Sequence, residues 1–418
     1  MPALPPPTLI VRNIGELLTM APESVPDATG PLGIVPDAAL VARGEQILFV
    51  GPAARLAEVQ FAASDVPPQE IDLGGRVVTP GLIDSHTHLV FAGDRAGEFQ
   101  QRHAGVSYGA IAAAGGGIVA TMRATRAASF AELVALGRTR LRSMRTHGTT
   151  TVETKTGYGL DRETEERLLA VAARLGRERG LPRVISTFLG AHVVPPEYRA
   201  DRAAYVAAIQ HDWLPRFAGR ADFCDVFCEG NAFTAAESRA ILSTAKGLGY
   251  RLKLHADQMS ACGGAALAAE WGATSADHLD HASDADLDRL AAAGVVAVLL
   301  PGCSFTLNAP YPDARRMVAH GVPIALATDF NPGTCYCENL QMMVALAIAH
   351  MGLTLPEALL AVTRNAARAL SLSDAGTLVA GQRCDLALWG IRSHHEIGYH
   401  FGVNLVEQTI IGGHVATA

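Results

Sequence analysis

Between residues 80 and 370 the chain alternates short apolar runs with stretches of helical period, and it does so eight times. The runs fall at 82–88, 149–155, 183–189, 223–228, 251–255, 274–278, 295–300 and 322–328. Near-continuous apolar runs of this length fit strands buried on both faces, and strands that alternate with helices pair in parallel. One connection can be read closely: residues 161–175 place Asp161 as an N-cap ahead of a helical apolar period. Eight such units predict an α/β fold, a (β/α)8 TIM barrel, with its functional groups at the C-terminal ends of the strands.

The residues at those ends are chemically selective. The first run closes in Asp84-Ser85-His86-Thr87-His88. On a strand, an i, i+2 spacing turns both imidazoles to one face. Glu153 and Lys155 end the second run, His192 lies just past the third, and Glu229 follows the fourth. His255 and His278 end the fifth and sixth, Cys303 lies beyond the seventh, and Asp329 follows the eighth. His86, His88, His255 and Asp329 make a three-imidazole, one-carboxylate set that suits Zn2+ or Fe2+ and leaves one position for water. Such an ion lowers the pKa of bound water to about 7, so these residue types specify metal-assisted hydrolysis. Taken singly, each has a plainer use, His255 or His278 as a hydrogen-bonded core histidine and Asp329 as a helix cap. Four at once favour the ion.

Outside 80–372 the period changes. Residues 1–79 hold short β segments at 9–11, 33–35, 39–42, 47–50 and 70–73. Residues 373–418 add segments at 376–379 and 384–389 and a Gly412-Gly413 hairpin within 408–415. Neither end has strands enough to stand alone, so the two are expected to combine as one small β-sandwich domain beside an 80–372 barrel. Lys plus Arg total 34 and Asp plus Glu 41, a net charge of −7, which argues against nucleic acid or an anionic membrane as partner. No apolar run approaches the roughly 18 residues of a membrane span, and Met1-Pro-Ala-Leu-Pro-Pro-Pro has no basic region before an apolar core. Seven scattered cysteines, an odd number, fit reduced thiols better than a disulfide framework. These features predict an unexported, cytoplasmic protein.

Pro80-Gly-Leu-Ile-Asp84-Ser-His86-Thr-His88, Lys253-Leu-His255-Ala-Asp257, Ser275-Ala-Asp-His278 and Ala327-Thr-Asp329-Phe330 resemble the metal-dependent amidohydrolase superfamily. Glu153-Thr-Lys155-Thr-Gly-Tyr158-Gly-Leu160, Thr187-Phe-Leu-Gly-Ala-His192, Phe223-Cys-Asp-Val-Phe-Cys-Glu229 and Thr328-Asp-Phe-Asn331-Pro-Gly333-Thr334 resemble the imidazolonepropionase family within it. The likeness runs nearly end to end. It implies one Zn2+ or Fe2+/Fe3+ per subunit, held by His86, His88, His255 and Asp329, in a homodimer. The implied substrate is a small molecule, 4-imidazolone-5-propanoate, whose cyclic amide is hydrolysed to N-formimidoyl-L-glutamate in histidine degradation. Arg95, Tyr158, His192, Gln258, Asn331, Gly333 and Thr334 match the family's substrate contacts, and His255, His278 and Asp329 its catalytic positions. Many relatives carry glutamate where this chain has Gln258.

The chemistry of that substrate bears on these positions independently. Arg95, in the loop after the first strand, can hold a carboxylate through two parallel hydrogen bonds. Residues 331–334 offer backbone N–H groups and a hydroxyl to the same anion, and Tyr158 and His192 can stack on the ring. Lys155 could suggest the bridging lysine of a dinuclear centre, but here the fourth strand ends in Cys228-Glu229, so one metal is expected, with Lys155 paired to Glu153 or Glu229. A ring deaminase is the competing enzyme, and it calls for an acid where Gln258, a poor proton donor, stands. A non-catalytic scaffold on the same barrel would lack the complete ligand set. Residues 90–148, with Gly115-Gly116-Gly117, are a candidate cover for the site.

Overall fold

The computed structural model describes residues 3–106, 110 and 115–416. The chain opens with β1 (Leu9–Leu18), β2 (Ile34–Arg43), β3 (Gln46–Pro52) and β4 (Gln69–Pro80). It continues through β5 (Leu82–Asp84), β6 (Thr149–Lys155), β7 (Arg183–Ala191), β8 (Phe223–Cys228), β9 (Arg251–Ala256), β10 (Ser275–His278), β11 (Val296–Leu299) and β12 (Ile324–Leu326). It closes with β13 (Leu386–Trp389), β14 (Val406–Ile411) and β15 (His414–Val415).

Strands β5 to β12 form one eight-stranded parallel sheet in chain order, and each of the eight apolar runs overlaps one of them, with β7 and β9 running past the ends of theirs. Several of the intervening helices start on side-chain caps. Asp161 accepts from Thr164 N at 2.8 Å to open Arg162–Leu175, and Ser129, Thr234, Ser283 and Thr354 form capping boxes. The sheet closes beyond the ladder of its end strands. Thr87 bridges Phe330, Asp329 N donates to His86 O at 3.1 Å, and His88 N donates to Phe330 O at 2.9 Å. Regular pairing in the first strand stops at Asp84, earlier than the run 82–88, and Asp84 turns its carboxylate to Thr328 across this seam.

The flanking strands make a seven-stranded mixed sheet, β15-β14-β13-β4-β1-β2-β3, so both chain ends share it. β13 runs antiparallel to β4, with Leu386 opposite Pro80, and β1 runs parallel to β4. Val11, Leu17, Val78 and Leu386 belong to its own apolar cluster. Gly412 and Gly413, at φ +57° and +74°, make the hairpin turn that L side chains rarely adopt. Segments 33–35 and 39–42 merge into β2. Residues 376–379, expected as a strand, are irregular: Leu378 is buried and its N–H donates to Thr19 O at 2.8 Å, which ties the segment down without a ladder. Only Gly81 separates β4 from β5, and a Cβ there would collide with Thr150.

Of the candidate cover at 90–148, residues 107–109 and 111–114 lie outside the described residues; the rest includes helices Ala96–His103, Ile118–Ala127 and Phe130–Thr146. Among the described residues no helix is long and apolar enough to cross a membrane.

Candidate metal centre and active site

The barrel seam builds the site. Because Asp329 N is bonded to His86 O, the ends of the first and eighth strands are locked side by side, and β9 brings His255 in from the facing wall. Ring nitrogens of His86, His88 and His255 lie within 4.8 Å of one another, all buried. Asp329 Oδ1 lies 3.5 Å from His86 Nε2 and 3.7 Å from His88 Nε2. Asp329 and His278 have positive φ, 51° and 77°, a strained backbone that aims both side chains. The rings of His278 and His255 are 5.4 Å apart, and those of His278 and His86 5.8 Å.

The electrostatics leave room for a cation. Burial drives His86, His88 and His278 far below the ordinary imidazole range, with neighbouring histidines adding to the effect, so all three are neutral. Burial pushes the Asp329 carboxyl the other way, up to about 7. His86 Nε2 and His255 Nε2 are buried with no hydrogen-bond partner. Unpartnered buried acceptors are costly, and lone pairs converging beside a carboxylate are what a metal ion satisfies. The donor set therefore fits a metal ion.

Behind the ligands lies a layer of buried charge that the motifs did not bring out. His86 Nδ1 is 2.6 Å from Asp277 Oδ2, and His255 Nδ1 is 3.0 Å from Asp225 Oδ2. Lys155 Nζ lies 2.9 Å from Glu153 Oε1, 2.9 Å from Asp225 Oδ2 and 3.5 Å from Asp277 Oδ2. Lys155 thus pairs with Glu153, as one of the two expected acids, and not with Glu229. The Glu229 carboxylate instead accepts from Ser260 Oγ and from Met259 N at 2.8 Å, which closes the loop after β9. Burial alone would lower the Lys155 pKa, but Asp225, Glu153 and Asp277 overturn it and hold the ammonium charged. Burial would likewise raise Asp225, and Lys155 and His255 hold it ionised. The available signal was Asp225, Lys253 and Asp277 standing inside apolar strands, where a charge must find a partner.

The candidate substrate contacts ring the same mouth. His192 stacks on His88 at 5.2 Å and 16°, and burial lowers its pKa to about 4. Tyr158 sits 5.4 Å from His88 and 5.5 Å from His192. Arg95, half-buried, donates through Nε to Glu98 at 2.7 Å, and its guanidinium packs where a Cβ on Gly333 would stand. A side chain at 333 would push that guanidinium aside. Asn331 braces its own loop: Oδ1 accepts from Gly333 N and Thr334 N at 2.8 Å each, and Nδ2 donates to Thr334 Oγ1 at 2.7 Å. The two N–H groups expected to face an anion are thus turned onto Asn331, while Thr334 Oγ1 donates to Asp329 Oδ2 at 3.3 Å. Gln258, half-buried, points its amide at Cys303 Sγ, 3.8 Å away.

Barrel, flanking sheet and histidine cluster define an amidohydrolase, and the profile of the Amidohydrolase family matches residues 112–416. The chain is 47% identical to the imidazolonepropionase of Symbiobacterium thermophilum, over 98% of this chain and 97% of that one. It is 49% identical to the imidazolonepropionase of Caulobacter vibrioides, over 89% and 92%. At this level over nearly the whole length, the chain belongs to the imidazolonepropionase family of amidohydrolases. Similar folds include a zinc-bound adenosine deaminase of Xanthomonas campestris, with a TM-score of 0.69 and 19% identity over 99% of this chain and 93% of that one. N-isopropylammelide isopropylaminohydrolase of Burkholderia multivorans has a TM-score of 0.68 and 18% identity over 97% of each chain.

Proposed function

We propose that this protein hydrolyses the cyclic amide of 4-imidazolone-5-propanoate to N-formimidoyl-L-glutamate, using one Zn2+ or Fe2+/Fe3+ ion per chain. The observation that carries this reading is the convergence of His86, His88 and His255 on Asp329, with buried ring nitrogens unpartnered. When bound, such an ion activates water at neutral pH and polarises a carbonyl.

The chain's own groups supply the rest. Asp329 accepts the proton of the attacking water and returns it to the departing ring nitrogen, for which its position beside the histidines suits it. His278, neutral and across from His255, donates to the oxygen on which charge develops. Arg95 takes the propionate with the guanidinium edge that Glu98 leaves available. Tyr158 and His192 flank the ring, Gln258 reads its edge by one donor and one acceptor, and Asn331 holds Gly333 and Thr334 in place. A deaminase reading lacks the acid at Gln258.

The same reading takes the protein as a cytoplasmic homodimer with its domains at 1–79, 80–372 and 373–418. Seven free cysteines and the end-to-end family likeness support it. Purified protein incubated with enzymatically generated imidazolonepropionate should remove its ultraviolet absorbance, and a chelator should abolish the effect. No turnover above the spontaneous rate with metal-loaded protein rejects the proposal.

A further inference from the structure

We propose that Asp225, Lys155 and Asp277 form a single buried bridge that fixes His86 and His255 as Nδ1-protonated imidazoles, with both Nε2 lone pairs turned to the metal position. The inference rests on the metal-centre reading above and adds a layer to it.

The bridge is continuous. Asp277 Oδ2 faces both His86 Nδ1, at 2.6 Å, and Lys155 Nζ, at 3.5 Å. Asp225 Oδ2 faces both His255 Nδ1, at 3.0 Å, and the same Lys155 Nζ, at 2.9 Å. The second oxygen of each carboxylate is also held. Ser275 Oγ donates to Asp277 Oδ1 at 2.6 Å, and His255 N donates to Asp225 Oδ1 at 3.1 Å. Neither carboxylate can rotate without breaking a contact on its far side. All these side chains are buried.

The tautomer follows from the chemistry of the groups. An ionised carboxylate only accepts, so a neutral imidazole that faces one must carry its proton on that nitrogen. For His86 and His255 the carboxylate side is Nδ1, which leaves Nε2 with a lone pair, and Nε2 has no hydrogen-bond partner in either ring; His86 Nδ1 is bonded to Asp277, whereas His255 Nδ1 meets Asp225 Oδ2 at 3.0 Å as a close contact without hydrogen-bond alignment. A carboxylate behind an imidazole also raises its basicity as a ligand. Lys155 offsets the two aspartates and couples them, so the angle of one ring is tied to that of the other. His88 is oriented differently: its Nδ1 has no partner, and His192 stacks on its face. The bridge should therefore act on two of the three imidazoles.

The test uses the full chain with 15N-labelled histidine, first metal-free and then titrated with Zn2+ against a chromogenic chelator. In wild-type apoprotein, the His86 and His255 ring shifts should report protonated Nδ1 and unprotonated Nε2. Asp277→Ala removes the acceptor, so His86 should populate both tautomers and Zn2+ should bind about 10- to 100-fold more weakly. Lys155→Met should move the ring shifts of both His86 and His255 and leave those of His88 in place, which a general loss of packing would not do. Asp277→Asn is isosteric and decides the matter if the alanine variant fails to fold, with an expected weakening of about tenfold. Protonated Nε2 in either wild-type ring, or Zn2+ affinity within about twofold of wild type in Asp277→Asn, overturns the bridge. Wild-type protein that binds no Zn2+ overturns the metal-centre reading instead, and the apoprotein shifts still decide the tautomers.

Discussion

Asp84 and Thr328 stitch the first barrel strand to the last: Asp84 Oδ2 accepts from Thr328 Oγ1 at 2.7 Å, and Oδ1 accepts from Thr328 N at 3.1 Å. Both residues are buried, and each sits one or two positions from a candidate ligand, Asp84 before His86 and Thr328 before Asp329. The seam that closes the barrel is thus also the device that sets the spacing between two ligands. Asp84→Ala removes both acceptors and leaves the Thr328 N–H and O–H donors unsatisfied, the hydroxyl keeping only the bond it accepts from Phe330 N, at a cost of about 1–3 kcal/mol. Denaturant unfolding should register that loss, and the purified variant should carry less metal than wild type. Unchanged stability with full metal content would mean the seam holds without Asp84.

Metal dependence should be mononuclear. Lys155, the one lysine that could invite comparison with a bridged pair of ions, is engaged with Glu153, Asp225 and Asp277 behind the histidines. His255→Ala removes one of four ligands and should lose metal and activity together. Elemental analysis decides the count. About two tightly bound ions per wild-type chain would refute it.

The barrel was legible because eight buried strands leave eight apolar runs, each of which overlaps an observed strand, and the flanking segments announced themselves by turn residues. What escaped was contact between segments far apart in the chain. Asp277 stood in plain view beside His278, yet nothing in Ser275-Ala-Asp-His278 says that its carboxylate reaches back to His86, 191 positions earlier. Lys155 was expected on Glu153 or Glu229, and only the β6-β7-β8 order of the sheet, with β8 two strands from β6, brings Asp225 within 2.9 Å of it. Residues 376–379 looked like a strand because Thr377-Leu378-Val379 is a short run of strand-favouring residues after Gly376. It is buried as a tether, with one backbone hydrogen bond and no ladder. In the 331–334 loop, Asn331 satisfies the neighbouring N–H groups itself, a local turn chemistry that competes with ligand binding.

Arg95 should act as the carboxylate clamp. Glu98 holds its Nε at 2.7 Å, which orients the guanidinium and leaves its terminal edge to receive two oxygens. A charge-assisted contact of this kind is worth roughly 1.5–3 kcal/mol, so Arg95→Met should lower kcat/KM by at least about tenfold with metal content unchanged. Arg95→Lys keeps the charge but not the fork and should recover only part of the loss. Steady-state kinetics within about twofold of wild type for the methionine variant would reject the role.

Asp329 and Gln258 should divide the work between chemistry and recognition. Asp329 lies 3.5 Å from His86 Nε2 and 3.7 Å from His88 Nε2, where it can touch the ion and also receive and return a proton. Gln258 has no titratable group, and its amide can donate to one ring atom and accept from another. A contact made equally in the ground and transition states is uniform binding, so Gln258→Ala should raise KM more than it lowers kcat. Gln258→Glu should still turn over, with an added pH dependence from the new carboxylate. Asp329→Asn should lose about 10²–10⁴-fold in kcat, the usual scale for a general acid–base group, in addition to the effect of weaker metal binding. The comparison is made on protein whose metal content has been measured for each variant. A collapse of kcat in Gln258→Ala as deep as that in Asp329→Asn, with the metal retained, would place the amide in the chemical step and overturn the division.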